Sequence, residues 1–339
     1  MSSKIKNMND SIEMLYPIFL DEKLASIKSP FYLRRMDFWG KRFYYEVDEE
    51  MNPTFYLSTT TFIKSVLPES KFLTDWRINT ALFKGSQEAA DEYVTSTADY
   101  GTCLHICIGE VIKNGEYNWA NLLITINEYC TNKIDAYTLR SWVKDLQRDI
   151  LAFCQFIKEY NVNVVAVEFP IIREGIATCI DLVVEMDIEE KGFWGELYLS
   201  GAQKGLPKET KQTRRVVAII DIKSGRKGFY DSHEAQLELC KKMWNAYFQD
   251  TDYECEMLFN WSPKDWVSSP SYNLKDQTNS KFKGKTDVMF QMGYIYNVFN
   301  FSRFSVESDE VFKLGDDPVF KNSSIYDTVR NYELEKKSK

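Results

Sequence analysis

The chain has 339 residues, 44% of them apolar and 27% charged, with a net charge of −8. That composition suits a soluble protein of one large domain or two ordinary ones, with a core that needs no disulfides or structural metals. The acidic balance excludes binding to nucleic acid through bulk positive charge, so any such contact must be local.

The opening residues, MSSKIKNMND, lack the apolar stretch of a secretory signal. No apolar run reaches the roughly 18 residues of a membrane span. Seven cysteines with no C-x-x-C pair remove the main support for a zinc ribbon or a thioredoxin site. They suit reduced thiols in a cytoplasm. Residues 1–70 read as an irregular N-terminal extension, with a turn at Asn52-Pro53. Residues from about 71 to 115 read as helical, with Leu104, Ile108, Val111 and Ile112 apolar and Gly115 as C-cap. A long helix follows over about 139–160, burying Trp142, Val143, Leu146, Ile150, Phe153, Cys154 and Ile157. The period then changes. Residues 164–171 and 176–186 read as a hairpin turned at Glu174-Gly175, and 216–222 as an apolar central strand. A helix capped by Asp231 or Ser232 runs to about 248, and a fourth strand covers 254–260. This order predicts a mixed sheet flanked by helices, in the α/β or α+β class. Residues 261–339 form a C-terminal extension around a core at 71–260.

Charges belong in an apolar strand only when they are paired or used. Asp221 and Lys223 interrupt Ile219-Ile-Asp-Ile-Lys-Ser-Gly225, and Asp181 interrupts Cys179-Ile-Asp-Leu-Val-Val. Period two puts Asp221 and Lys223 on one face, with Ile220 and Ile222 on the other. Two carboxylates on neighbouring strands can hold a hard divalent cation such as Mg²⁺, and the lysine can stabilise charge on a phosphate. A structural Asp–Lys ion pair is the alternative. His105, one of two histidines, shares a helix face with Gly101, where glycine permits close backbone approach. It reads as a metal or phosphate contact, or as a satisfied core residue. His233 reads as a cap-region or surface residue. Gln236 shares a face with Cys240, Met243, Trp244 and Tyr247; it orients Lys223 or sits at an exposed boundary. Glu168 is a third carboxylate, near solvent at its strand end.

Lys204, Lys208, Lys211, Arg214, Arg215, Lys223, Arg226 and Lys227 make residues 201–228 locally about +6. That stretch is a track for a DNA backbone or a solvated loop. Trp261, Trp266 and Tyr272 with Lys275, Lys281, Lys283 and Lys285 suit a surface for single-stranded DNA, or a packed extension.

The ordered set resembles the PD-(D/E)xK nuclease superfamily, closest to its RecB-like exonuclease branch. The matching pieces are Tyr100-Gly-Thr-Cys-Leu-His105, Val167-Glu-Phe-Pro170, Gly175-Ile-Ala-Thr-Cys-Ile-Asp181, Asp221-Ile-Lys223-Ser-Gly and His233-Glu-Ala-Gln-Leu237. With the lead-in Thr59-Thr-Thr-Phe-Ile and Trp76, the resemblance covers about residues 57–260. It implies a restriction-endonuclease-like αβββαβ core. It makes Asp181, Asp221, His105 and the carbonyl of Ile222 metal ligands, Lys223 the catalytic lysine, and Gln236 and Glu168 supporting groups. Three departures stand out. Cys240 replaces the tyrosine of Q-x-x-x-Y. The long span 182–220 suggests an inserted hairpin or loop. No cysteine follows Cys255, so no iron–sulfur cluster is expected.

The expected function is Mg²⁺- or Mn²⁺-dependent DNA cleavage by an exonuclease of recombination, repair or phage replication. It would work in a bacterial or phage-infected cytoplasm, with recombination or replication proteins as partners. An endonuclease with the same site, a non-catalytic DNA-binding protein, and an unrelated α/β protein with structural charge pairs are the alternatives.

Overall fold

The structure, a computed structural model, describes residues 12–14, 18–19, 33–38, 41–69, 71–130, 134–192, 195–226, 228–306 and 323–338. The N-terminal region is not irregular where it is described. It holds β1 (Ile12–Met14), β2 (Ile18–Phe19), β3 (Arg34–Phe38), β4 (Lys41–Val47) and β5 (Pro53–Ser58). β1, β3, β4 and β5 pair antiparallel in succession. Phe43, Tyr44 and Tyr45 are buried one after another. A strand covered on both faces shows no polar alternation, which is why it escapes a periodicity search.

Helix α1 (Thr59–Val66) is capped by Ser58, whose Oγ accepts from the Thr61 N–H at 3.0 Å. The helical stretch after it is two helices, α2 (Lys71–Lys84) and α3 (Gln87–Asn114), separated at Gly85-Ser86. Gly115 ends α3 in the left-handed region at φ 70°, as a C-cap glycine should. α4 (Asn121–Tyr129) and α5 (Ala136–Glu159) follow. On α5, Leu146, Ile150 and Phe153 are buried as expected, but Cys154 is exposed and Asp149 takes a buried place instead.

The hairpin of β6 (Asn163–Arg173) and β7 (Ile176–Gly192) turns at Glu174 (φ 52°) and Gly175 (φ 80°). Two positive φ values are what a two-residue turn of this hand requires. β8 (Thr210–Ile222) pairs antiparallel with β7 out to Gly192 and Thr210, so the long span is an extended hairpin. α6 (Asp231–Phe248) leads to β9 (Met257–Pro263), parallel to β8. Its N-cap is Tyr230, not Asp231 or Ser232: the His233 Nδ1 accepts from the Tyr230 N–H at 3.3 Å. The chain continues through β10 (Tyr272–Asp276), α7 (Thr286–Ile295), β11 (Ser305–Val306), β12 (Ser323–Ser324) and α8 (Ile325–Ser338).

Among the described residues, ten strands form one mixed sheet in an α+β fold, with the predicted helix–strand–strand–strand–helix–strand order as α5-β6-β7-β8-α6-β9. α3, α4 and α5 cover one face of the sheet. α1, α6, α7 and α8 cover the other. No described helix is long and apolar enough to cross a membrane. Of the aromatic and basic residues named after position 260, Trp266 and Tyr272 are half-buried and Lys281, Lys283 and Lys285 are exposed. Trp261 is fully buried, edge-on to Phe153, and Lys275 pairs with Glu234 at 3.3 Å. Glu333 of α8 accepts from Tyr45 and pairs with Arg34, tying the C-terminal helix to the first strands.

One irregularity positions the site. β7 pairs with β6 on one side from Ile176 to Glu185. On the other it pairs with β5 only at Ile176 and Ala177, and with β8 only from Leu182 onward. The positions between, 178–181, carry no ladder on that edge.

Candidate active site

Asp181 closes that gap. In register it lies opposite Asp221, one step past the last β7–β8 pair, where the two strands part. Its Oδ2 accepts from the backbone N–H of Ile222 at 2.7 Å. Its Oδ1 faces the His105 Nδ1 at 3.8 Å. His105 comes from α3, and its Nε2 meets the Ile222 carbonyl at 3.1 Å. The peptide groups on both sides of Ile222 are thus held by two site residues. Gly101, one turn before His105, lets α3 close on this loop: a Cβ there would lie 3.1 Å from Ser224 Oγ.

Glu168 completes a cluster. It sits on β6 between the pairs Val167–Leu182 and Phe169–Ile180, opposite Asp181. Its Oε1 is 3.1 Å from the His105 Nδ1. Its φ is 45°, a left-handed conformation that costs a residue with a side chain about 1–3 kcal/mol. Such strain persists only where surrounding structure imposes it. Among the described residues, His105, Glu168 and Asp181 are a group whose ligand atoms all lie within 4.8 Å of one another, close enough to share a metal ion.

Asp221 and Lys223 leave β8 on one face, as the period requires. Lys223 Nζ donates to Asp221 Oδ1 at 2.6 Å and to Gln236 Oε1 at 3.5 Å, so Gln236 on α6 does face the lysine. Asp221 Oδ2 accepts from Asn260 Nδ2 at 2.6 Å. Asn260 has no place in the sequence reading. The signal was present, because a lone amide interrupts Met257-Leu-Phe-Asn-Trp as the aspartates interrupt their strands. Cys240 puts a buried thiol one turn after Gln236. Burial holds that thiol protonated.

The charges are strongly coupled. Withdrawal from water pushes the Asp181 carboxyl up to about 7, against the pull of His105, while Asp221 and Glu168 push the same way. Burial alone would lower His105; the Asp181 and Glu168 carboxylates reverse that and lift it to about 9. Both its ring nitrogens face acceptors, and only the imidazolium donates to both. Burial alone would raise Glu168, but His105 brings it below the usual carboxylate value. Burial also opposes the Lys223 charge, but Asp221 and Asp181 hold its pKa above the ordinary lysine value. His233 at the head of α6 is held down to about 4 by burial and by Lys223.

The basic stretch is placed differently from the cluster. Lys211 and Asp221 are ten residues apart on one strand, roughly 33 Å at the usual rise. Its charges face acids: Lys208–Glu196, Lys211–Glu189, Arg214–Glu190 and Glu256, Arg215–Asp187 and Glu185. Lys204 is exposed in the β7–β8 loop. Arg226 lies near the site, paired with the buried Asp149 at 2.9 Å and with Asp265. Tyr100 donates to the same Asp149 at 2.7 Å. Sequence reasoning missed Asp149. Lys227 lies outside the described residues.

No family model matches the chain, and no curated protein matches it.

Proposed function

We propose that the chain is a metal-dependent deoxyribonuclease of the PD-(D/E)xK kind, most simply an exonuclease, using Mg²⁺ or Mn²⁺. The observation that supports it is the meeting of His105, Glu168 and Asp181 with the Asp221–Lys223 pair where β7 and β8 part. The donor chemistry fits the cation. Carboxylate oxygens, an imidazole and the nearby Ile222 carbonyl suit Mg²⁺ or Mn²⁺ better than a soft metal. Cys179, the thiol that neighbours Glu168, is kept protonated by burial, so it offers no thiolate.

Asp181, His105 and Glu168 would hold the ion, with Asp221 and the Ile222 carbonyl as the further ligands the resemblance implies. When bound, such a cation neutralises phosphate charge and lowers the pKa of a water. The protein's own groups do the rest. Lys223, charged and fixed by Asp221 and Gln236, would hydrogen-bond through Nζ to a phosphate oxygen as negative charge develops there, keeping its protons. Gln236 holds the ammonium on line without neutralising it. Asp181, tied to the Ile222 N–H, keeps one oxygen turned to the cluster. The DNA reading rests on this chemistry rather than on the basic stretch, most of whose charges are already paired.

Closed circular DNA separates the exonuclease from an endonuclease with the same site, because an exonuclease has no end to start on. Digestion of end-labelled linear and closed circular DNA with Mg²⁺, Mn²⁺ or EDTA is the test. Loss of the linear form alone supports the exonuclease. Nicked circles move the reading to the endonuclease, and intact DNA in every lane contradicts both.

A further inference from the structure

We infer that Asn260 and Gln277 are positioning residues that hold Asp221 ready for the cation, an inference that rests on the reading of this site as a metal centre. Asp221 is only 4% exposed, and an ionised carboxylate so enclosed needs donors on both oxygens. Lys223 supplies one, to Oδ1, and Asn260 the other, to Oδ2. The parallel register of β8 and β9 sets Asn260 directly against Asp221. The Lys223 N–H extends that pairing to the Trp261 carbonyl at 2.8 Å.

An amide has two ends, and the wrong one would repel. Gln277 Nε2 donates to Asn260 Oδ1 at 2.9 Å. With that oxygen engaged, the NH₂ end must face Asp221. Flipping Asn260 would set oxygen against carboxylate and donor against donor. Gln277 is 3% exposed, and its backbone N–H donates to the Leu258 carbonyl at 2.8 Å, which anchors the main chain that carries it. Both amides are uncharged. They orient the carboxylate without bringing a second positive charge beside that of Lys223. Gln277 follows β10, beyond the strand–strand–strand–helix–strand core. The C-terminal extension therefore reaches the site through two buried amides and is part of the machinery.

Mn²⁺ affinity measured by calorimetry on the full chain tests this, with folding checked by thermal melts. The variants are Asn260→Leu, Gln277→Leu and, as a control, Ser262→Ala. Ser262 is buried on the same strand but accepts from Asn273, away from the site. Outer-shell partners of metal ligands typically contribute about 10–100-fold in affinity, which is the loss expected for Asn260→Leu. Gln277→Leu should lose less, and Ser262→Ala nothing. Excess Mn²⁺ should restore cleavage by Asn260→Leu, which a merely structural defect would not allow. Wild-type Mn²⁺ affinity in folded Asn260→Leu overturns the inference. If that variant does not fold, wild-type affinity in Gln277→Leu overturns it equally. A wild-type protein that binds Mn²⁺ but cleaves no DNA overturns the nuclease reading alone, and the affinities still decide the role of the amides. A wild type that binds no Mn²⁺ overturns both.

Discussion

Asp181 accepts the backbone N–H of Ile222 at 2.7 Å across two strands that have ceased to pair. The bond carries the β7–β8 ladder one step further by a side chain. It also commits one carboxylate oxygen and leaves the other facing His105.

Asp181→Asn keeps an acceptor for that N–H and removes the charge. Burial holds the native carboxyl up at about 7, so its ionised form weighs against the folded, metal-free protein. The variant should therefore melt higher than wild type at pH 8 without metal. It should also lose Mn²⁺ binding by more than about 100-fold, beyond what an outer-shell change costs. Melting curves and calorimetry read the two effects, and unchanged Mn²⁺ affinity contradicts the assignment of Asp181 as a ligand.

Protons and the cation compete for the same atoms. His105 is lifted from 6.5 to about 9, so the stability it contributes is full below pH 6.5 and lost as pH rises through 9. Asp181, raised from 3.8 to about 7, acts with the same sign: full below 3.8, lost as pH rises through 7. Metal-free stability from these two groups should thus fall between about pH 4 and 9, first through Asp181 and then through His105. Cation affinity should rise over the same window, with protons released on binding. Titrations at pH 6, 7.5 and 9, in buffers of different ionisation heat, measure both. An affinity flat across that range contradicts the assignment.

Asp149 is wholly enclosed and carries Tyr100 from α3 and Arg226 from the loop after Lys223. Asp149→Ala leaves Arg226, itself partly exposed, without its buried partner. The cost expected from breaking such a pair is about 3 kcal/mol, near the low end for buried ion pairs. Urea denaturation gives the value. A loss below about 0.5 kcal/mol, the usual range for a surface change, would show that the pair does not brace the loop.

The paired basic residues of β8 make a different prediction from their raw charge. A lysine or arginine holding one phosphate contributes about 1 to the salt slope of DNA binding. Lys211→Ala, Arg214→Ala and Arg215→Ala combined should lower that slope by less than about 1, because Glu189, Glu190 and Asp187 already engage them. A drop near 3 would put the DNA backbone along this strand.

What the sequence made legible follows from how local each signal is. Glu174-Gly175 marks its hairpin because the turn needs two positive φ values within two residues. Asp181, Asp221 and Lys223 stand out because a charge in an apolar strand is anomalous by itself. β4 stayed hidden because Phe43, Tyr44 and Tyr45 are all buried, which erases the alternation. Asp149 stayed hidden because its partners lie 49 and 77 positions away, joined to it only by the packing of α3, α5 and the β8 loop. Asn260 sits beside Asp221 only through a parallel pairing that needs α6 to cross between the strands.

The most direct measurement sets cleavage of end-labelled linear DNA beside Mn²⁺ affinity, on the same preparations of wild type and Lys223→Ala. Lys223 is placed to stabilise charge on the phosphate rather than to ligate the ion. The variant should therefore still bind Mn²⁺ while cleaving about 100–1,000-fold more slowly, the loss typical of removing one such donor. Wild type should cleave with Mg²⁺ or Mn²⁺ and not with EDTA. Wild-type protein that leaves DNA intact with either metal, or a Lys223→Ala variant that cleaves at the wild-type rate, would contradict the account.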